Sequence, residues 1–193
     1  DEVNVGLEAA TTATISAGGT TASTIDDALG NTLTSLSLSG NGTAHEFSLL
    51  NSEGVSSVTI TGDQNVTVTM DASDIDLLTS NAVTVVDSSS ATSTLKVGTA
   101  AGDMDLTAAA VDAIDIAIDN NAKTATVASG AEVTLSVDQT ATTIDGADSG
   151  ASTNSVAVTL DDGATAANAA VDIGTSLTFT DFATATINVS TDS

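Results

Sequence analysis

The chain contains no cysteine, proline, tryptophan or tyrosine, and it sets only 2 lysines, with no arginine, against 26 acidic residues. Without cysteine there is neither a disulfide framework nor a thiolate metal site. With a single histidine, His45, zinc and copper lose their other usual ligand. Aromatic residues amount to 2% of the chain, as Phe47, Phe179 and Phe182. A core of Val, Ile, Leu and Ala must therefore be thin and evenly layered. The shortage of cations makes nucleic acid a poor partner and disfavours an anionic membrane surface. No apolar run is long enough to cross a bilayer, so membrane insertion is not expected.

What remains is acidic and moderately apolar. The formal net charge is -24, hydrophobic residues make up 41% and charged residues 15% of 193 residues. Compactness under that self-repulsion favours bound counter-ions. Calcium is the expected cofactor, because carboxylates and backbone carbonyls are hard oxygen ligands that suit it. The mean hydropathy of +0.25 argues for a folded chain rather than an acidic disordered one. The absence of cysteine suits an extracellular protein, and the opening Asp1-Glu2 reads as that of a processed or excised segment.

Short runs alternate Ser or Thr with Val, Ile or Leu and close on Gly, Asp or Asn, and each reads as one strand. They are LTSLSLSG from Leu33, VSSVTITG from Val55, VTVTM from Val66, AVTVVD from Ala82 and STLKVG from Ser93. The series continues with AIDIAID from Ala113, TATVASG from Thr124, EVTLSVD from Glu132, SVAVTLDDG from Ser155, SLTFTDF from Ser176 and ATATINVS from Ala183. An all-β fold follows. Asn41-Gly42 is the one hairpin-type Asn-Gly dipeptide, so a right-handed parallel β-helix is preferred, with a β-sandwich as the alternative. Leu106 to Ala113 carries both helical and alternating spacing and reads as a short helix. Residues 1–32 are the least patterned and read as an edge or connecting segment. Residues 33–193 form the repetitive β domain, a possible fragment of a larger protein.

The stretches LTSLSLSGNG from Leu33, VSSVTITGDQNVTVT from Val55 and MDASDIDLLTSNAVTVVD from Met70 resemble the repetitive β-helical region of bacterial S-layer proteins of Caulobacter and Campylobacter type. The resemblance implies a surface lattice or fibre subunit that is stabilised by calcium and assembled outside the cell. The calcium-binding nonapeptide G-G-x-G-x-D-x-U-x of related proteins has no copy here, so any calcium sites are irregular.

Asp71, Asp74 and Asp76 are close enough in an expected turn to share one ion with backbone carbonyls. Asp103 and Asp105 alternate to one side of an extended segment, and Asp161 and Asp162 precede Gly163 at a strand end. Each pair is a candidate source of two calcium ligands. Asp145 and Asp148 flank Gly146 similarly, while Asp63 reads as a turn residue. Asp115, between Ile114 and Ile116, is expected to face outward. His45 reads as an exposed turn residue, and Lys96 and Lys123 as salt-bridge partners.

No catalytic set is legible, because a lone histidine selects no nucleophile and the chain lacks the Trp and Tyr of a sugar platform. The expected function is structural: a secreted, self-assembling subunit of an S-layer, sheath or extracellular filament, located at the cell surface. Its partners are copies of itself, with cell-surface polysaccharide as a further candidate. The alternative is an adhesin stalk or binding module, including an ice-binding solenoid. Thr-x-Thr triplets from Thr59, Thr67, Thr124, Thr178 and Thr184 invite the ice reading, and their irregular spacing argues against it.

Overall fold

A half-apolar strand cannot bury its face alone, but stacked coils of such strands can. The computed structural model describes residues 2–3, 9–19, 24–26, 32–49, 54–71, 83–99, 102–119, 121, 123–148, 150, 152–161 and 171–190. Among them it is all β, without a helix, and every strand pairing is parallel. The fold is a parallel β-solenoid.

One nine-stranded sheet runs through the described structure. Its strands are β1 (Glu2–Val3), β3 (Thr24–Asp26), β5 (His45–Ser48), β7 (Val66–Asp71), β9 (Ser93–Thr99), β12 (Ala113–Ile116), β14 (Ala131–Leu135), β16 (Ser155–Leu160) and β18 (Thr184–Val189). A five-stranded N-terminal sheet holds β2 (Thr12–Gly18), β4 (Ser35–Asn41), β6 (Ser57–Gly62), β8 (Thr84–Asp87) and β11 (Ala109–Ala110). A four-stranded C-terminal sheet holds β10 (Met104–Asp105), β13 (Lys123–Val127), β15 (Gln139–Gly146) and β17 (Ile173–Thr180). The solenoid thus exchanges its second face between β9 and β12, where a single coil contributes to both shorter sheets.

In-register stacking places like residues above like. Phe47, Val68, Leu95, Ile114, Val133 and Val158 form one buried column of the long sheet. Met70, Val97, Ile116 and Leu135 form a second. Leu36, Val58 and Val85 continue the core behind the N-terminal sheet, and Met104, Ala125 and Ile144 behind the C-terminal one. This is the thin aliphatic core that the shortage of rings requires. Phe47 is its one fully buried ring.

Two expectations change. Leu106 to Ala113 is not a helix: Asp105 accepts hydrogen bonds from the Thr107 amide (3.0 Å) and hydroxyl (2.6 Å), which sets a turn. The ladders pairing Ala109 with Val85 and Ala110 with Val86 then override the local propensity of the alanines. His45 is not an exposed turn residue but 3% exposed at the head of β5. Its ring lies over Gly40, where a side chain would stand 3.3 Å from Cδ2. Glycine in the preceding strand therefore makes the room. Within residues 1–32, Thr12–Gly18 alternates as TATISAG and pairs along its length with Ser35–Asn41, which makes β2 the outermost strand of its sheet.

Buried polar side chains fasten the corners. Gln139, 1% exposed, donates to the carbonyls of Ile118 (2.8 Å) and Val137 (3.0 Å) and accepts from Thr142 Oγ1 (2.7 Å). Asn154 Nδ2 likewise donates to the carbonyl oxygens of Asp148 (3.0 Å) and Asp181 (3.3 Å). The corner leaving the N-terminal sheet is tighter still: Gly62 has φ +105, and a Cβ there would lie 2.5 Å from the Gly40 carbonyl oxygen of the coil below. Gly62→Ala is expected to cost about 1–3 kcal/mol, as left-handed strain and a backbone clash combine. Gly102→Ala, with nothing within 4 Å, is the control. Thermal unfolding of the two variants checks the contrast, and equal melting temperatures would refute it.

Candidate functional site

Several acidic residues sit at strand ends and corners, where the carboxylates of Asp103, Asp112, Asp119 and Asp138 meet backbone amides of a neighbouring coil. Asp103 is exposed, and its Oδ1 accepts the Thr124 amide at 2.8 Å from the next coil. Asp105, two residues on and half-buried, is engaged with Thr107. The pair lies on one side of the extended segment with Met104 buried between them. The two carboxylates nevertheless hold different N–H groups.

Asp71 closes β7 at an irregularity of register opposite Thr99. It is half-buried, and burial pushes its carboxyl above the ordinary value of 3.8. Asp74 and Asp76, its expected partners, lie outside the described residues. Asp161 is half-buried just beyond β16, with its amide donating to the Leu135 carbonyl at 3.1 Å. It lines an open groove of the long sheet with Lys96, Gly98, Ala117, Thr134, Ser136 and Val137. Asp162 lies outside the described residues. Among the described residues no three His, Cys, Asp or Glu side chains converge as a metal cluster.

Of the other acids, Asp145 accepts a hydrogen bond from Thr180 Oγ1, and Asp148 is exposed. Asp63 is an exposed corner residue whose carboxylate accepts from Gln64 at 3.4 Å. Asp115 alternates with buried Ile114 and Ile116, yet its Oδ1 is itself buried and lacks a hydrogen-bond partner. It stands in register beside Lys96. Neither Lys96 nor Lys123 forms an ion pair among the described residues, contrary to the salt bridges expected from the sequence.

Sequence reasoning passed over a set of carboxylate clamps. Asp119 accepts the Thr140 amide (2.9 Å) and hydroxyl (2.6 Å), and Asp138 accepts the Asp172 amide (2.8 Å). The hydrogen bonds from Thr140 hold the Asp119 carboxyl below its ordinary value. Asp112 accepts the Ser93 amide at 2.9 Å, while its own amide donates to Ser93 Oγ at 3.2 Å. A legible signal existed, because Asp103 and Thr124 repeat the spacing of Asp119 and Thr140. These clamps satisfy amides at the coil corners, where the ladders begin.

Asp87 belongs to the same corner as Asp112. Burial pushes its carboxyl up, but hydrogen bonds from the Ser89 amide and from the hydroxyls of Ser89 and Ser93 outweigh burial and leave it low. A lowered folded-state value contributes stability that is complete above 3.8 and is lost as pH falls below it. Asp87→Asn is therefore expected to cost about 1 kcal/mol at neutral pH. The gap to the native chain should narrow on acidification, as chemical unfolding across the acidic range can measure. A gap independent of pH would exclude the carboxylate as its source.

Comparison with known proteins finds no matching family model, no similar curated protein and no similar solved structure.

Proposed function

We propose that the chain is a structural, secreted subunit that self-assembles outside the cell into an S-layer, sheath or filament, with calcium bridging acidic surfaces. The observation that carries this reading is the last described rung of the solenoid. Ala185, Ile187 and Val189 on β18 continue the columns of Val156, Val158 and Leu160. Here, however, Ile187 is 51% and Val189 57% exposed. The strand is also the edge of the long sheet, so a row of backbone N–H and C=O groups faces outward beside the apolar side chains. Another copy of the chain, adding a strand of the same polarity, would cover both.

The net charge of -24 opposes that contact. Calcium, held by carboxylates of both copies, turns the repulsion into attraction. The resemblance of the Leu33 to Val86 region to S-layer repeats supports the same reading. Removing residues 183–193 is expected to abolish polymerisation in millimolar calcium while leaving β-content by circular dichroism nearly intact. Unchanged polymers by negative-stain electron microscopy would count against the reading.

Asp71 reports on the ion. Because burial raises its folded-state value, its ionisation at neutral pH opposes folding, and that cost is absent in acid. In chelator at pH 7, Asp71→Asn is expected to melt slightly higher than the native chain. Calcium should raise the native melting temperature more than that of the variant. An equal calcium response in both proteins would remove Asp71 from the ion's ligands.

A further inference from the structure

Among the described residues, one whole sheet face carries no outward acidic residue. On the N-terminal sheet the outward positions are Thr12, Thr14 and Ser16 on β2, Ser35, Ser37 and Ser39 on β4, Ser57, Thr59 and Thr61 on β6, and Thr84 and Val86 on β8. None is ionisable. The single acid in these four strands, Asp87, takes the inward register opposite Ile60. The outer face of the long sheet, in contrast, carries Glu46, Lys96, Asp115 and Glu132.

We infer that this neutral hydroxyl face is the lateral contact between copies of the chain, the same face of each meeting the other. The inference rests on the self-assembly reading and adds to it the surface by which polymers join side by side. Three properties of the face select a second copy as its occupant. First, two molecules of net charge -24 can approach here without opposing carboxylates. Second, every Ser and Thr hydroxyl is both donor and acceptor, so the face is complementary to itself under a two-fold rotation. Rows already form within one copy, with Ser39 Oγ donating to Ser16 Oγ at 2.9 Å and Asn41 Nδ2 to Ser16 Oγ at 2.8 Å.

Third, the size of the face fits a contact that works only in an array. Strands about 4.8 Å apart and about five outward-spanning residues long give roughly 400 Å² per copy. A stand-alone complex buries about 800 Å² per partner. One pair of faces is thus too weak to hold an isolated dimer. Many pairs along two aligned polymers act together by effective concentration.

The test uses the full chain in millimolar calcium, with Ser37→Asp and Thr59→Asp combined to place two carboxylates at the centre of the face. Negative-stain images of the native protein should show polymers joined side by side, and images of the variant single polymers of unchanged length. Thr94→Asp, on the outer face of the long sheet between Thr67 and Ala113, should still join. Sheets that persist in the Ser37→Asp, Thr59→Asp protein would overturn the inference, as would native polymers that never join.

If the native chain forms no polymer, the self-assembly reading fails, and the face is judged separately. The chain has no cysteine, so Ser37→Cys at high protein concentration under oxidant reports face-to-face encounter directly. A disulfide dimer well above the level of Thr94→Cys would sustain the contact, and equal levels would remove it. Thermal hysteresis in the native protein that the paired Asp substitutions abolish would assign the face to ice instead, and would likewise overturn the inference.

Discussion

Parallel, in-register stacking is the constraint on which the rest of the structure depends. Each residue sits about 4.8 Å from its counterpart in the next coil, so whatever a coil places at a position is repeated against itself. For apolar residues this is favourable and produces the aliphatic columns. For carboxylates it is not: two unit charges at that distance repel by about 1 kcal/mol even in water. An acidic chain that folds this way must dilute its acids along every outward column. Glu46 is followed in register by Thr67, Thr94 and Ala113 before Glu132 appears. Asp115 is flanked by Lys96 and Thr134. The abundance of Ser and Thr is the complement of this rule, because a neutral β-former is needed wherever an acid would meet another.

The same rule explains why carboxylates gather at corners. There the coil bends, the ladder is interrupted, and amides lose their regular acceptors. Asp103, Asp119 and Asp138 each accept an amide from the following coil, and Asp112 accepts one from the preceding coil. A residue type that is costly in the middle of a stacked sheet is thereby useful at its rim. This does not conflict with cation binding, since a carboxylate engaged through one oxygen retains further lone pairs for an ion. It does change the meaning of an aspartate in the sequence, which on its own signals a corner at least as readily as a ligand.

The strands were legible because alternation survives in each of them: SLSLS, SVTIT and SVAVT announce one buried and one solvated face. The solenoid was less plain. Stacked residues are 27 positions apart between Thr67 and Thr94, and only 19 between Thr94 and Ala113. The coil shortens where one of its faces is exchanged, which hides the period. His45 was misread because its burial is set by Gly40 rather than by its own neighbours in sequence. The alanines after Leu106 were misread because two-residue strands owe their existence to the ladder beside them. Among the proposed cation ligands, positions near strand ends were legible. The amides that Asp103 and Asp105 hold depend on the register between coils and on a local turn, which alternation does not encode.

The exchange of faces gives the two ends of the described solenoid different shapes. At the N-terminal end, β1 and β2 present edges of the long and N-terminal sheets; at the C-terminal end, β17 and β18 present edges of the C-terminal and long sheets. Only the long sheet is common to both. On the self-assembly reading, continuous hydrogen bonding from copy to copy can therefore run through that sheet alone. The shorter sheets would meet unlike faces at each junction. Such a junction is directional, because a copy placed upside down would set β18 antiparallel to its partner and lose the parallel register that aligns the core columns. It also leaves the hydroxyl face free of the axial contact. On that reading, axial growth and lateral joining fall on different surfaces of the described solenoid.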